Sequence, residues 1–324
     1  MSRLLNLAVL SDVHYAGPAE RMRTGFLLQG VRHPLQRWAI HCYRHYVWLR
    51  DPFAHNALLD RFIHEAGGAD FVVANGDYTC DSAFIGVSDD ASCLSAEECL
   101  GKLRRRFGAN FEANFGDHEI GKKMLGGERG GPRWASFQRA QSELGLKPFW
   151  TVTLGKYVLM GIVSTLAAWP VYQSESLPEE RADWAQARAS HSQAVCQAFA
   201  SLQRDQRVIL FCHDPTALPF LWREPAVREK LSQVERTVIG HLHSELILMK
   251  SRWLAGMPVI GFLGHTPRRL SAALHEARHW EPFHVLLCPS LSGLQIARGG
   301  GYYTALLDLE GSQPAQFRRH RLLR

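Results

Sequence analysis

Three aspartates and five histidines of this 324-residue chain stand in short runs that follow apolar stretches. The runs are Asp12-Val13-His14, Gly76-Asp77, Gly116-Asp117-His118-Glu119, His213 and Gly240-His241-Leu242-His243. Carboxylates and neutral imidazoles are donors for divalent cations. Two cations held close together need a shared carboxylate and several nitrogens. Any one run reads equally well as the polar tip of a strand end, and the chain holds 16 His. Their common setting raises them above that reading, because ligands of open α/β sheets collect at the carboxyl ends of strands.

The elements that must position these residues follow from the pattern. Residues 4–10 read as a buried strand, 54–66 as a helix closed by Gly67-Gly68, and 71–74 as a second strand. Such a βαβ unit delivers Asp12, His14 and Asp77 to one sheet edge. Residues 81–94 read as a polar loop. Ser95 with Glu98 reads as a capping box opening a helix that ends in Arg104-Arg105-Arg106. Residues 109–115 lead into the Asp117-His118 turn. Strand-like runs recur at 149–154, 157–164, 208–211, 237–239, 283–287, 302–308 and 315–320, with a long amphipathic helix over 178–203. In an extended segment His241 and His243 would point to the same side. The expected fold is α/β, two packed mixed β-sheets flanked by helices. No Pro/Ser-rich linker, charge block or repeat divides the chain, so residues 1–324 read as one domain.

Composition narrows the setting. At 46% hydrophobic and 21% charged residues, the chain has ample material for a core. A net charge of +6 and a pI of about 9.0 suit an anionic partner. Seven cysteines, an odd number without a Cys-x-x-Cys pair, fit a reduced, cytoplasmic protein. The first apolar run is short and leads into Asp12 without a small-residue cleavage site, which favours a strand over a signal peptide. No run is apolar and long enough to span a bilayer.

Residues 20–52 read as an insertion. Arg21, Arg23, Arg32, Arg37, Arg44 and Arg50 alternate with apolar residues that include Leu27, Leu28, Trp38, Tyr46, Trp48 and Leu49. From Pro34 the pattern is that of a basic amphipathic helix, with Leu35, Trp38 and Tyr46 on one face and Arg37 and Arg44 on the other. Such a helix lies in a membrane interface, or caps a domain with its Arg stems over apolar surface. The arginines form no extended stripe, so no nucleic acid is expected as a partner. A Gly-rich basic loop with Lys122, Gly126, Gly127 and Arg129 either holds a phosphate group or is a surface loop.

Taken in order, Asp-x-His, Gly-Asp, Gly-Asp-His-Glu, His and Gly-His-x-His resemble the calcineurin-like metallophosphoesterase superfamily, over residues 4 to 245 and the closing strands. The resemblance implies a metallophosphoesterase fold and two divalent metal ions, Mn²⁺ in this chain, that activate water and neutralise phosphoryl charge. It makes Asp77 the bridge, places Asp12, His14 and His243 on one metal, and places Asp117, His213 and His241 on the other. His118 becomes the catalytic proton donor beside the substrate, and Glu119 orients the turn. The family usually carries Asn where this chain has Asp117. That carboxylate still ligates by oxygen and adds a negative charge. Lys122, Arg129, Arg37 and Arg44 are candidate substrate contacts. The basic insertion makes the chain similar to the UDP-2,3-diacylglucosamine hydrolases of lipid A synthesis, with the Gly-Asp-His-Glu variant of their chlamydial-type branch. This implies a lipid-linked anionic phosphoester as substrate and peripheral contact with the cytoplasmic face of the inner membrane. A soluble phosphodiesterase or phosphatase, and a silent scaffold of the same fold, are the alternatives.

Overall fold

The structure is a computed structural model that describes residues 4–23, 25, 26, 31, 33–46, 51–124, 129–260, 265–292 and 300–322. Leu27, Leu28, Arg32, Trp48, Leu49, Arg50, Gly126 and Gly127, and the side chain of Arg44, lie outside the described residues.

Two five-stranded sheets carry the molecule. The first has the order β10-β9-β1-β2-β3 and the second β4-β5-β6-β7-β8. In the first, β1 (Leu4–Leu10), β2 (Phe71–Ala74) and β3 (Phe111–Ala113) are parallel. The strands β9 (Gly300–Asp308) and β10 (Gln316–Leu322) close its other side antiparallel. In the second, β4 (Phe149–Leu154) is antiparallel to β5 (Tyr157–Ile162). The strands β5, β6 (Arg207–Cys212), β7 (Val234–Ile239) and β8 (Val285–Leu287) are parallel.

The apolar runs are explained by what lies on both faces of each strand. Leu7 and Val9 of β1 and Val73 of β2 pack with Leu159, Phe211 and Val238 in a core between the sheets. Their alternating neighbours Ala8, Leu10, Val72 and Ala74 belong to a second core against the helices. Strands covered on both faces read as continuous apolar stretches instead of alternating ones.

The helices used below are α1 (Pro34–Tyr46), α2 (Asn56–Glu65), α3 (Asp90–Phe107), α4 (Asp117–Ile120), α5 (Trp169–Tyr172), α6 (Arg181–Ala200), α7 (Leu218–Arg223) and α8 (His265–Glu276). Two expectations change. The stretch 81–94 is not all loop, because α3 begins at Asp90 and Asp89 caps it by accepting from the Ser92 amide at 3.0 Å. Ser95 and Glu98 therefore lie inside the helix. The Ser95 hydroxyl bonds back to the Ala91 carbonyl and accepts from the Gly17 amide, and Glu98 accepts from the Tyr15 hydroxyl. These tertiary bonds occupy the groups that a capping box would have used. On α1 the stripe of Leu35, Trp38 and Tyr46 is exposed, not packed beneath the helix.

Candidate metal centre

The register of the parallel strands brings the runs together. Leu10 pairs with Ala74, and Ala74 with Ala113, so the segments after β1, β2 and β3 leave the sheet side by side. The Asp12 amide then donates to the Gly76 carbonyl at 3.1 Å, and the His14 amide to the Asp77 carbonyl at 2.9 Å. Two asparagines fasten this edge to the other sheet. Asn75 Nδ2 donates to the Val238 carbonyl, and Asn114 Nδ2 to the Phe211 carbonyl, both at 3.2 Å. Strand β6 ends at Cys212, next to His213. Strand β7 ends at Ile239, next to Gly240, whose amide donates to the His213 carbonyl at 2.9 Å.

The backbone at these ends is strained. Asp12, His14, Asp77, His241 and His243 all have φ between 47° and 60°. Non-glycine residues rarely adopt that region, and when they do they gather at functional sites. It also overturns the extended reading of the last run. His241 and His243 turn into the site from left-handed conformations and join different donor groups. Two glycines permit the crowding. A Cβ on Gly76 would stand 2.6 Å from Gly116 Cα, and one on Gly116 would stand 2.2 Å from Asp77 Oδ1.

Two donor groups result, and His118 forms a third with Asp77 and Asp117, the carboxylates it shares with them. Asp12, His14, Asp77 and His243 offer four atoms within 4.8 Å of one another, and Asp117, His213 and His241 offer three on the same scale. His213 Nε2 lies 3.1 Å from Asp77 Oδ2 and 3.3 Å from Asp117 Oδ1, which places Asp77 between the groups. Asp12 Oδ2, Asp77 Oδ2 and His213 Nε2 are buried and make no hydrogen bond. Buried polar atoms are ordinarily satisfied, so three orphans converging on one space fit a cation. The other ring nitrogens are held from behind. His213 Nδ1 lies 2.6 Å from the Asn75 carbonyl and His243 Nδ1 lies 3.1 Å from Ser290 Oγ. Such bonds fix ring orientation in metal sites. The donor set, three carboxylates and four imidazoles, fits a pair of divalent cations.

Electrostatics sorts the groups. Burial holds His14 and His118 well below the usual imidazole range, with His243 and Lys122 respectively adding to it, and pushes His243 down to about 3. Burial works the same way on His213, but Asp77 and Asp117 overcome it and raise that imidazole well above its usual range. His241 follows against burial, raised to about 9 by Asp117 and Asp214. A proton and a cation compete for those lone pairs. Burial alone would raise Asp117, yet the Lys122 ammonium and His241 hold it well below the carboxylate range.

The remaining predicted residues separate. His118 lies in α4 with Nε2 3.8 Å from Asp77 Oδ2, its ring edge-on to His14, and neither ring nitrogen bonded. Glu119 accepts from the amides of Asp77 at 3.0 Å, Tyr78 at 2.7 Å and Gly116 at 2.8 Å. It clamps two of the runs together, and burial with the charge of Asp77 raises it to about 7. Lys122 Nζ lies 3.5 Å from Asp117 Oδ2. Arg129 is exposed, and Arg37 is exposed with Nη1 3.3 Å from the Val31 carbonyl. Sequence reading missed Asp214, whose Oδ2 lies 4.0 Å from His241 Nε2 and which accepts from the Tyr172 hydroxyl and the Thr216 amide. Its position beside His213 was the available signal.

Two mixed sheets with paired carboxylate–imidazole donor groups at their carboxyl edges define a dinuclear metal-dependent hydrolase of phosphoesters. The family model of calcineurin-like phosphoesterases matches residues 5–245, a span that contains all five runs, and the chain belongs to that family. Among solved structures it is similar to a dimetal phosphatase from Danio rerio, with 13% identity, TM-score 0.48, and coverage of 98% of this chain and 96% of that one. It is also similar to a purple acid phosphatase from yellow lupin (Lupinus luteus) seeds, with 13% identity, TM-score 0.35, and coverage of 75% and 38%. No curated protein matches. Among the described residues, no helix is long and apolar enough to cross a membrane.

Proposed function

We propose that this hydrolase cleaves a pyrophosphate or phosphoester bond of an anionic amphiphile at a membrane surface, with Mn²⁺ as its working metal. UDP-2,3-diacylglucosamine, yielding UMP and 2,3-diacylglucosamine 1-phosphate, is the leading substrate. The observation that carries this reading is the bare apolar face of α1. Leu35, Trp38 and Tyr46 are 69%, 67% and 67% exposed, on the helix that also carries Arg37. Helices of this composition lie in the headgroup region of bilayers, and a chain of net charge +6 is drawn to anionic lipid.

Bound divalent cations supply Lewis-acid stabilisation of the phosphoryl oxygens and an activated water. The chain's part is to hold and orient. Asp12, His14, Asp77 and His243 form one seat, and Asp117, His213 and His241 the other. His118, with neither ring nitrogen bonded and Nε2 3.8 Å from Asp77 Oδ2, donates to a phosphoryl or leaving oxygen. Lys122 adds a positive charge at the mouth of the cluster.

The test is UMP release from UDP-2,3-diacylglucosamine in detergent micelles, comparing wild type with His118→Ala, with Mn²⁺ added and then chelated. Metal-dependent release that is largely lost in the variant supports the reading. Cleavage of a simple aryl phosphodiester without UMP release discards the lipid substrate and leaves a soluble phosphodiesterase. Absence of stoichiometric metal and of any turnover leaves a scaffold. Co-sedimentation with anionic vesicles tests α1 separately, and Leu35→Ser with Trp38→Ser should release the protein from them.

A further inference from the structure

We infer that a cavity linked to the metal cluster through Asp214 is the subsite for an apolar ester group of the substrate, an alkyl or acyl chain whose phosphoryl end reaches the metals. This rests on the phosphoester-hydrolase reading and adds what that reading does not specify, the place and chemistry of the second binding site.

The cavity, about 540 Å³, lies between α5, α7 and α8. That is the size of small-molecule sites. Its wall is mainly Pro170, Val171, Pro219, Phe220, Ala272 and Ala273. The two alanines on α8 leave the room that larger side chains would take.

Bonded residues link the cavity to the exposed side of the cluster. His241, a third exposed, is the most accessible of the imidazoles in the two donor groups. Its neighbour Asp214 is bonded by the Thr216 amide and by the Tyr172 hydroxyl. Thr216 lines the cavity, and so does Arg269, whose guanidinium lies 5.0 Å from the centre of the Tyr172 ring. The path from the cavity to a donor of the second seat thus runs through Thr216, or through Arg269 and Tyr172, and then through Asp214 to His241.

The wall also selects the occupant. Its carboxylate Glu276 is taken by Arg223 at 2.5 Å, and Arg269 is engaged with Glu175. A nucleobase or sugar needs edge partners, and these ionic groups are already committed. With Arg223 paired to Glu276 and Arg269 to Glu175, Arg268 is the lining cation that complements a phosphoryl head. An apolar tail with an anionic head matches both features. This site is separate from the bare face of α1, so a chain can be bound even if α1 has no part in it.

The experiment uses alkyl 4-nitrophenyl phosphodiesters with methyl, butyl and octyl groups, and isothermal titration with the matching alkylphosphonates, on metal-loaded full-length protein. A fully buried methylene is worth about 4-fold. Going from butyl to octyl adds four methylenes, about 250-fold if all are fully buried, so with part of the chain buried kcat/KM and phosphonate affinity should rise roughly 10- to 100-fold. Ala273→Trp should collapse the octyl-to-methyl ratio towards 1, and Ala272→Leu serves if the tryptophan variant does not fold. A ratio near 1 in wild type, or one untouched by filling the cavity, overturns the subsite while methyl ester turnover keeps the phosphoesterase reading. Failure to hydrolyse every ester overturns that reading instead, and the phosphonate titrations then decide the subsite.

Discussion

Replacing Lys122 by Met should make the protein bind divalent metal more tightly and make the metal-free protein less stable. The two effects have opposite signs because one ammonium serves two masters. At 3.5 Å from Asp117 Oδ2 it offsets a buried carboxylate, and it repels any cation seated on that carboxylate. At this separation two unit charges attract by roughly 5 kcal/mol at an effective dielectric of 20 and about 1 kcal/mol in bulk water. Lys122 is about one third exposed and Asp117 only 11% exposed, so the pair sits towards the lower bound, about 1–2 kcal/mol. The expected outcome is metal affinity tighter by roughly 5- to 30-fold, read by competition with a chromophoric chelator, and metal-free stability lower by about 1–2 kcal/mol in urea. Lys122→Arg keeps the charge and should change both little. High salt should shrink both effects. Weaker or unchanged metal binding by Lys122→Met would refute the argument, because it would show that Asp117 carries no charge that Lys122 opposes. Asp117→Asn should weaken metal binding, the converse result.

Three further outcomes follow from the geometry. Glu119→Gln puts an amide donor against one backbone donor in one orientation and two in the other, and should cost about 1–3 kcal/mol in urea unfolding; unchanged unfolding would remove Glu119 as the clamp. Ser290→Ala takes away the partner of His243 Nδ1 and should weaken the first seat roughly 10-fold while sparing the second, as two separable steps in metal titration. His191, buried in α6 with Nε2 accepting from the Val163 amide at 3.1 Å, is lowered to about 4 by burial and then by Arg188. Its folded value lies below the unfolded one of roughly 6.5, so the native state binds fewer protons. Stability present above pH 6.5 is therefore lost as pH falls towards 4, by about 3 kcal/mol, and His191→Gln should flatten that part of the urea-derived pH profile.

What the sequence disclosed about the fold depended on double burial. The stretches around Leu7-Ala8-Val9-Leu10 and Phe71-Val72-Val73-Ala74 are apolar throughout because one core lies between the sheets and another under the helices. Periodicity locates such strands well. It cannot say that Ala74 pairs with both Leu10 and Ala113, and that register is what sets Asp12, Asp77 and Gly116 side by side. The start of α3 was misplaced for a local reason. Asp89 and Ser95 are both good caps by residue type, and the choice was settled by Gly17 and Tyr15, 78 and 83 residues away from the groups they bond.

The donor groups were legible for a different reason, and it bears on why they are strained. Runs of Asp and His after buried strands are visible in sequence because they break apolar patterns at the points where strands must end. Their conformations were invisible, since φ near +50° at Asp12, His14, Asp77, His241 and His243 has no residue-type signal. An extended backbone would send His241 and His243 to one side. The left-handed turns send them to two seats, with His243 Nε2 3.1 Å from Asp12 Oδ1 and His241 Nδ1 3.2 Å from Asp117 Oδ1. Strain of about 1–3 kcal/mol per residue persists only where surrounding bonds over-determine it. Here those bonds are the Glu119 clamp, the Asn75 and Asn114 links between sheets, and the His241 amide on Asp12 Oδ1 at 3.0 Å. Most of these bonds lie outside the metal seats themselves, so the residues that make the site rigid are largely not the ones that would touch the cations.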